Sequence, residues 1–458
     1  MTKSFSRRKF MQIAGGTVAA AAGASLVPRF LGKNVLYPLA PEAASAQDAS
    51  YDLFFAGTDG WIALPTTPAI PPFHPDVLAP DGQTTYIFGF RNVTGMTATQ
   101  IANQKNKAQH SAPVFWTKQN VPFRLQLTNI GLALRPDLFD EHTIHWHGFR
   151  NVIPFFDGEP TGSLSVPVAR YFTYVYNAHE PGTYMFHCHV EDVEHVHMGM
   201  TGMVFVRPAQ DNDSGLLNLG TARPAPNNKP FQGFAYNDGN GATGFDREFS
   251  MFLSEVWAES HWADAHIQLP EWSDYRADFT LLNGRVYPDT IAPNGSVDPF
   301  HPVYDADGDL IPPGGWGAGY DHLQFQPISS LVNCNAGEQV LLRFANLGFK
   351  EAAMTLTGIK MRIVGKDATP MHGSDGTDTS YETSTAAFGP GESLDAIFTA
   401  PPFSGDSGSS GLGYDTYMLY NRRYTHANNL ANGGFGGQAT EVRVYPSGTL
   451  GAQAVPNT

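Results

Sequence analysis

Residues 182–189 read GTYMFHCH, a stretch typical of a β-strand that carries three metal-ligating side chains at its end. Successive side chains of a strand point to opposite faces of the sheet. We therefore expect His187 and His189 to share one face and Cys188 to point to the other. Such a strand presents imidazoles on one side and a thiol on the other.

A second stretch, residues 141–148, reads EHTIHWHG and alternates in the same way. His145 and His147 share a face, whereas His142 lies three positions earlier and takes the opposite face of an unbroken strand. If the two stretches lie together, they predict two groups of side chains. One joins His142 to the cysteine, and the other collects four imidazoles.

Residues after the 182–189 stretch complete the first group, since His195 and Met200 follow Cys188 closely. Two histidines, a thiolate and a methionine are the ligands of a blue-copper electron-transfer site. Four imidazoles also suit copper, and a methionine ligand favours copper over zinc. The predicted ligands are His142, Cys188, His195 and Met200 for the first site, and His145, His147, His187 and His189 for the second.

Short runs of apolar and β-branched residues recur between turn clusters along the chain, while helical periodicity is scarce. This pattern favours an all-β protein built from two β-sandwich domains. Strands are expected over 84–90, 123–128, 171–176, 249–256, 340–344, 361–364 and 440–444. Residues 122–129 resemble residues 339–346, which suggests two domains of one fold. The predicted domains cover residues 47–208 and 209–458, joined by a linker around 207–230.

Composition excludes several classes of protein. The chain has 458 residues, which suits two or three domains. Its 28 basic and 43 acidic residues give a net charge of −15, which argues against nucleic-acid binding. Cys188 and Cys334 are the two cysteines, so a disulfide framework is excluded. Cys334 is expected to be an inert buried thiol.

The first 46 residues have the features of an export signal. Residues 6–11 read SRRKFM, which resembles a twin-arginine motif, and a mildly apolar run over 13–27 precedes Ala44-Ser45-Ala46. We predict a twin-arginine signal peptide over residues 1–46 and a periplasmic or otherwise exported protein. The run is too short for a membrane span, so none is expected after cleavage; an N-terminal anchor is the alternative.

At the two histidine stretches, HWHG (145–148) and HCH (187–189), the sequence resembles the multicopper oxidases, which are laccase-like enzymes. The resemblance implies cupredoxin-like Greek-key sandwiches and copper as cofactor. It also implies that a type 1 copper, at the first predicted ligand group, takes electrons from a reductant. The His-Cys-His strand would pass them to a type 2/type 3 cluster, where dioxygen becomes water. The four imidazoles of the second group would supply half of that cluster.

The chain departs from the family pattern at the type 1 ligands. His195 and Met200 lie seven and twelve residues after Cys188, whereas the family usually has five and ten. A two-residue insertion restores the match, but His197 and Met198 are alternative ligands. A type 1 motif in the first domain resembles the two-domain multicopper oxidases, in which the cluster forms between subunits of a homotrimer.

The second half lacks the histidines that the family would place there. Ala352, Thr355 and Thr357 occupy the three expected positions. His261 and His266 are candidate replacements, although a strand end or loop position without metal is the expectation for both. The copper-nitrite-reductase pattern matches less well, since it typically has an aspartate at the position of His145.

Two functions therefore stay open. The first is an exported copper oxidoreductase that oxidises a small molecule, a metal ion or a redox protein and reduces dioxygen. The second is a type 1 copper electron carrier with a degenerate second site; a nitrite-reductase-like enzyme is a further alternative. Glu191, Asp192 and Glu194 are expected at the mouth of the type 1 site, either guiding a cation or basic partner or forming a solvated loop.

Overall fold

A computed structural model describes residues 52–65, 76–111, 113–150, 152–212, 230–295, 303–305, 310–311, 319–406, 411–427, 429 and 436–458. These residues belong to one compact unit. The predicted signal peptide and residues 213–229 of the predicted linker lie outside the described residues. Within the described ranges, no helix is long and apolar enough to cross a membrane.

The first half of the chain forms two four-stranded sheets. Their orders are β2-β1-β4-β6 and β3-β8-β7-β5. Aromatic side chains from both sheets meet in one core, among them Phe55, Phe115, Trp146 and Phe186. The strands are β1 (Leu53–Ile62), β2 (Thr85–Asn92), β3 (Phe115–Lys118), β4 (Pro122–Asn129), β5 (His145–His147), β6 (Tyr171–Asn177), β7 (Gly182–His187) and β8 (Thr201–Arg207).

The second half forms a larger pair of sheets. Their orders are β12-β11-β16-β22-β18-β19, with β20 beside β18, and β15-β24-β23-β17-β21; β9–β10 and β13–β14 form separate two-stranded ribbons. The strands are β9 (Gly233–Phe234), β10 (Gly244–Phe245), β11 (Arg247–Val256), β12 (Phe279–Leu282), β13 (Val303–Tyr304), β14 (Leu310–Ile311), β15 (Val332–Asn335), β16 (Gln339–Asn346), β17 (Ala352–Leu356), β18 (Met361–Lys366), β19 (Thr369–Pro370), β20 (Tyr381–Thr383), β21 (Thr385–Phe388), β22 (Ser393–Thr399), β23 (Asp415–Asn421) and β24 (Ala439–Tyr445).

Both halves repeat one topology, so the prediction of an all-β fold with two sandwiches is confirmed. The order β2-β1-β4-β6 returns as β12-β11-β16-β22, and β3-β8-β7-β5 returns as β15-β24-β23-β17. The parallel pairs also correspond, since β1–β4 and β3–β8 are matched by β11–β16 and β15–β24. The similar segments 122–129 and 339–346 occupy equivalent strands, β4 and β16. The boundary at residue 208 stays a prediction.

In the described part of the chain, three short α-helices interrupt the strands: α1 (Ala98–Ala102), α2 (Asp192–Met198) and α3 (Ala258–Ala265). The expectation that His261 decorates a strand end or loop is wrong, because this residue lies within α3. Alanines at both ends of the segment favour a helix and also pack in the interior. Short 3-10 turns span Pro154–Phe156, Ala209–Asn212, Trp272–Asp274, Asp289–Ile291, Asp321–Leu323 and Tyr424–His426.

Alternation along β7 decides which side chains enter the core of the first sandwich and which meet the second half. Tyr184 and Phe186 pack in the first core, together with Cys188 just beyond the strand. Met185 points the other way and packs against second-half residues such as Phe252. One face of β7 is therefore the contact surface between the two sandwiches.

A buried ion network fixes this contact. The Arg343 guanidinium, fully buried, lies 3.0 Å from Glu248 and 3.5 Å from Asp395. It also donates to the hydroxyl of Thr183 on β7 at 3.3 Å, and that hydroxyl donates to Asp395 at 2.6 Å. Tyr236 donates a further hydrogen bond of 2.6 Å to the same aspartate. The two halves thus share one hydrogen-bonded cluster.

We expect Arg343→Met to lower the free energy of unfolding by about 3–5 kcal/mol, because it leaves the buried carboxylate of Asp395 without its cation. Urea denaturation measures the change. The matched control is Lys360→Met, since Lys360 and Glu382 form an exposed ion pair and such pairs contribute at most about 1 kcal/mol. Equal, small losses in both variants would contradict the role assigned to Arg343.

Candidate metal centre

Three of the four predicted type 1 ligands come together in the core of the first sandwich. Ligand atoms of His142, Cys188 and His195 all lie within 4.8 Å of one another, and the three side chains are buried. The thiol Sγ of Cys188 is 3.2 Å from Nδ1 of His195. His142 precedes β5 in a bridge to Val166, so the ligand sits beside the strand rather than within it. The alternation argument nevertheless placed it on the correct side.

The structure places His195, and not His197, beside Cys188. Both lie on α2, where residues two apart point in nearly opposite directions because each residue turns the helix by about 100°. His197 faces away: its Nε2 accepts a hydrogen bond of 3.2 Å from the main chain of Trp257, and its ring packs on His261 at 4.9 Å. The segment between Cys188 and Met200 thus contains a short helix, Asp192–Met198.

The methionine ligand stays a prediction. Met198 and Met200 both pack in the core that contains Cys188. Met200 is tied to the centre through the main chain, because its carbonyl accepts a hydrogen bond of 3.0 Å from the Cys188 amide. Its own amide donates to the His195 carbonyl at 2.8 Å.

Electrostatics favour a thiolate at this centre. Burial alone would raise the pKa of Cys188, but His195 and His142 outweigh it and hold that pKa well below its usual range. Burial likewise opposes charge on His195, yet the thiolate and Asp140 raise the pKa of this imidazole to about 10. The amide of Thr143 also lies 3.4 Å from the sulfur, as a donor. A thiolate is the form of cysteine that binds metal.

The residues at this centre fit a copper ion. Nδ1 of His142 is buried and has no hydrogen-bond partner among the described residues, which is costly unless another group binds it. Gly57 leaves room for this ring, since a Cβ there would lie 2.5 Å from Cδ2 of His142. Two imidazoles, a thiolate and nearby thioethers form the donor set that copper prefers.

The four remaining histidines form a second group on the opposite face. His145 and His187 are directly paired across β5 and β7, and their rings lie 5.3 Å apart. The ring of His189 is 4.9 Å from that of His145 and 5.4 Å from that of His187. His147 joins the group from the end of β5, 6.2 Å from His145, and is exposed.

Hydrogen bonds orient two of these imidazoles for metal binding. Nδ1 of His145 is 2.8 Å from the Asp157 carbonyl, and Nδ1 of His187 is 2.8 Å from the Cys188 carbonyl. A carbonyl only accepts, so the proton lies on Nδ1 and leaves Nε2 free as a ligand atom. Burial, with neighbouring imidazoles adding to it, lowers the pKa of His187 to about 3. This ring is therefore neutral, as a metal ligand must be.

The imidazoles of the four-histidine group lie too far apart to form a compact set of three ligand atoms. Among the described residues, the group does not bring three ligand nitrogens within 4.8 Å of one another. In the second half, β17 and β23 pair at the equivalent place, where Thr355 lies opposite Tyr420. The second half approaches through Gly391 instead, where a Cβ would lie 3.0 Å from the His147 ring.

Neither proposed replacement histidine joins this group. Nδ1 of His261 lies 2.6 Å from the Tyr86 carbonyl, so this ring is held on the other side of α2. His266 stacks on Trp262 at 4.3 Å and lies 3.5 Å from Asp76.

The sequence analysis predicted only some members of an acidic group that lies beside His195. Asp140 lies 3.5 Å from Nε2 of His195, and Glu191 completes a set of three ligand atoms within 4.8 Å. Glu194 faces Asp264, which reaches the site from α3. The nearness of Asp140 to the HTIHWH stretch was an available signal. Asp264 is distant in sequence, so no local pattern indicated it.

Comparison with known proteins agrees with this geometry. Residues 126–211 match the family model for multicopper oxidases. This range contains both histidine stretches and the predicted type 1 ligands. Comparison with curated protein sequences gives no match.

Solved structures share the fold at low sequence identity. A blue copper oxidase from Nitrosomonas europaea is 19% identical, with 85% of each chain covered and a TM-score of 0.52. The multicopper oxidase mgLAC is 18% identical, with 88% of this chain and 87% of that chain covered and a TM-score of 0.52. A copper nitrite reductase from Nitrosomonas europaea is 13% identical, with 88% and 96% covered and a TM-score of 0.50.

These likenesses establish a cupredoxin-like fold, and the family match lies on the segment that carries the ligand groups. The family match supports a copper protein of multicopper oxidase type, whereas the likeness to the solved structures shows the fold alone. The family-model match identifies a multicopper oxidase segment over residues 126–211, and this match implies copper as the cofactor.

Proposed function

We propose that the protein is an exported copper-dependent oxidoreductase that takes electrons from a reductant at the His142–Cys188–His195 centre and reduces dioxygen at the four-histidine group. The observation that carries this proposal is the position of Cys188. It lies between His187 and His189 in the chain, so the two ligand groups are joined by adjacent residues. The proposal of export rests on the signal-like sequence of residues 1–46. The proposal of a homotrimer rests on the resemblance to two-domain multicopper oxidases.

Copper bound at both groups would supply one-electron redox chemistry. The residues around the first group exclude water from it, since Cys188 and His195 are fully buried. A packed, water-excluded site keeps ligand geometry fixed when the charge of the site changes. Phe88 packs edge-on against the His195 ring at 5.9 Å and contributes to that rigidity.

The proposed electron path from the Cys188 centre to the four-histidine group is short and follows covalent and hydrogen bonds. The Cys188 carbonyl accepts from Nδ1 of His187, so the thiolate residue contacts one imidazole directly. The amide of His189 donates to the Thr143 hydroxyl at 2.9 Å, and the Thr143 amide donates to the sulfur. Thr143 thus holds the strand end in register at the point where the two groups meet.

Access differs between the two groups. The first is closed from solvent, because Cys188 and His195 are fully buried, and the half-buried Asp140 lies 3.5 Å from Nε2 of His195. The second has the exposed ring of His147 and the half-buried rings of His145 and His189. A small acceptor such as dioxygen can therefore approach the second group, while electrons enter from the His195 side.

A type 1 copper electron carrier is the second candidate function. The specific observation in its favour is the equivalent strand pair of the second half, where Ala352 and Thr355 on β17 offer no imidazole. In that case the four histidines would bind copper weakly or not at all. A nitrite-reductase-like reaction at the same face is a further alternative.

We expect Cys188→Ser to abolish the intense visible absorption of the copper-loaded protein, because that band arises from a thiolate–copper bond. His195→Ala should also abolish it, or at least shift it strongly. The matched control is His197→Ala, which removes an imidazole two residues away on the opposite side of α2 and should leave the band in place. Absorption spectra and copper content measure both effects. A band that survives in Cys188→Ser would refute the type 1 assignment.

We expect the double substitution His145→Ala with His147→Ala to lower dioxygen consumption by more than about 100-fold, since loss of a group that merely orients a ligand already costs 10–100-fold. The visible absorption band should persist, because neither ring contacts Cys188. An oxygen electrode and an absorption spectrum test the pair of expectations. Full dioxygen consumption in this variant would exclude the four-histidine group as the catalytic site.

A further inference from the structure

We propose that Tyr275, which is hydrogen-bonded to Glu255, is a redox-active tyrosine that donates one electron to the Cys188 centre during dioxygen reduction. The inference rests on the proposed function and deepens it, because it names an electron source within the chain. Tyr275 contacts α2 through the His197 ring, on the side of this helix that faces away from Cys188.

The supply of electrons to dioxygen gives such a residue a purpose. Reduction of one dioxygen molecule to water takes four electrons and four protons. A copper ion at the Cys188 centre gives one electron, and the four imidazoles hold two further ions if each ion takes two of them. At the equivalent strand pair of the second half, Thr355 lies opposite Tyr420, and neither is an imidazole. Copper alone therefore leaves dioxygen one electron short until an external reductant supplies it.

A cluster of aromatic rings joins Tyr275 to the helix that carries His195. The His197 ring packs against the ring of Tyr275 at 5.5 Å and against that of Trp272 at 5.4 Å. Trp257 packs on Tyr275 at 5.9 Å, and its main-chain amide donates to Nε2 of His197 at 3.2 Å. His197 and His195 both belong to α2. The path is therefore packed throughout, and its tyrosine and tryptophans are the side chains that lose an electron most readily.

Glu255 lies where it can take the phenol proton of Tyr275. A phenol that loses an electron becomes a strong acid, so it is oxidised readily only where a base accepts its proton. The Tyr275 hydroxyl donates to Oε2 of Glu255, and Oε1 lies 3.1 Å from Nε2 of His426. Burial opposes charge on this carboxylate, but the hydrogen bonds with His426 and Tyr275 outweigh burial and hold the pKa of Glu255 below its usual range. The base is therefore ionised before the transfer.

The neighbouring tryptophans differ from Tyr275 in this respect. Nε1 of Trp257 is buried and has no hydrogen-bond partner among the described residues, so proton loss cannot stabilise an oxidised Trp257. The electron vacancy therefore settles on Tyr275. Trp272 is half-buried and stacks on Tyr275 at 6.5 Å, which gives an external reductant a route for returning the electron.

Tyr86 provides an internal comparison. Its hydroxyl also donates to a carboxylate, that of Asp59, at 2.8 Å. However, its ring is fully buried and contacts Trp61 and Phe88, which are buried too. The ring between Tyr86 and His195 is that of Phe88, and a phenylalanine is not readily oxidised. Tyr86 therefore lacks both the path and the exposed aromatic neighbour of Tyr275.

The step balances with one electron and one proton. Tyr275 loses an electron, which reduces cupric ion at the Cys188 centre to cuprous ion. The hydroxyl proton moves along the existing hydrogen bond to Glu255. Dioxygen is the final oxidant and receives the electron at the four-histidine group. An external reductant then returns an electron to the tyrosyl radical through Trp272, and the proton returns from Glu255.

The tyrosyl radical itself is the readout of the test. Fully reduced, copper-loaded protein is mixed with dioxygen without external reductant, frozen rapidly and examined by electron paramagnetic resonance. We expect an organic radical signal that narrows when ring-deuterated tyrosine replaces ordinary tyrosine in the protein. Tyr275→Phe should abolish the signal. Glu255→Gln should also abolish it, because an amide is a poor base.

The matched control is Tyr86→Phe, which removes the other tyrosine with a buried carboxylate partner and should keep the radical signal. The visible absorption band of each oxidised variant shows whether the Cys188 centre is intact. An undiminished radical in Tyr275→Phe would overturn the inference, as would a radical lost only in Tyr86→Phe.

Failure of the proposed function gives a different result. In that case dioxygen would not restore the visible band of the reduced protein, and the inference would fall with it. If dioxygen restores the band but produces no tyrosyl radical in the unmodified protein, the proposed function stands and the role of Tyr275 is refuted.

Discussion

The burial of Cys188 as a thiolate is the interaction on which the rest of the site depends. An isolated charge in the core of a sandwich is unstable unless opposite charge or hydrogen-bond donors compensate it. His195, His142 and the Thr143 amide supply that compensation, each from a different segment. The packing of α2, the bridge before β5 and the glycine at position 57 all serve to bring these groups to one sulfur atom.

The strand that buries the thiolate also exposes the imidazoles. Because side chains alternate along β7, His187 cannot share the face of Cys188, and it falls on the side that contacts the second sandwich. That contact is held by Thr183 and Arg343 and is therefore well fixed near the four-histidine group. The second sandwich repeats the first in topology but brings Gly391, rather than a histidine, against the His147 ring. The site is thus open on the side where a small acceptor or another molecule could approach.

Much of this arrangement could be predicted from the sequence because it follows from short-range rules. Alternation predicted the strands and separated His142 and Cys188 from the four imidazoles. The choice between His195 and His197 could not be made, since it depends on the rotation of a short helix whose formation is set by packing. The helical position of His261 and the approach of Asp264 were also inaccessible, because both depend on how α3 packs against the first sandwich. The methionine choice remains open because both thioethers enter the same core.

The most direct test of the account is the copper content per chain of the purified, copper-loaded protein. The account predicts a value clearly above one, with visible absorption from the Cys188 centre and additional copper on the four histidines. A value near one, together with the same visible absorption, would contradict the proposed site of dioxygen reduction and indicate an electron carrier.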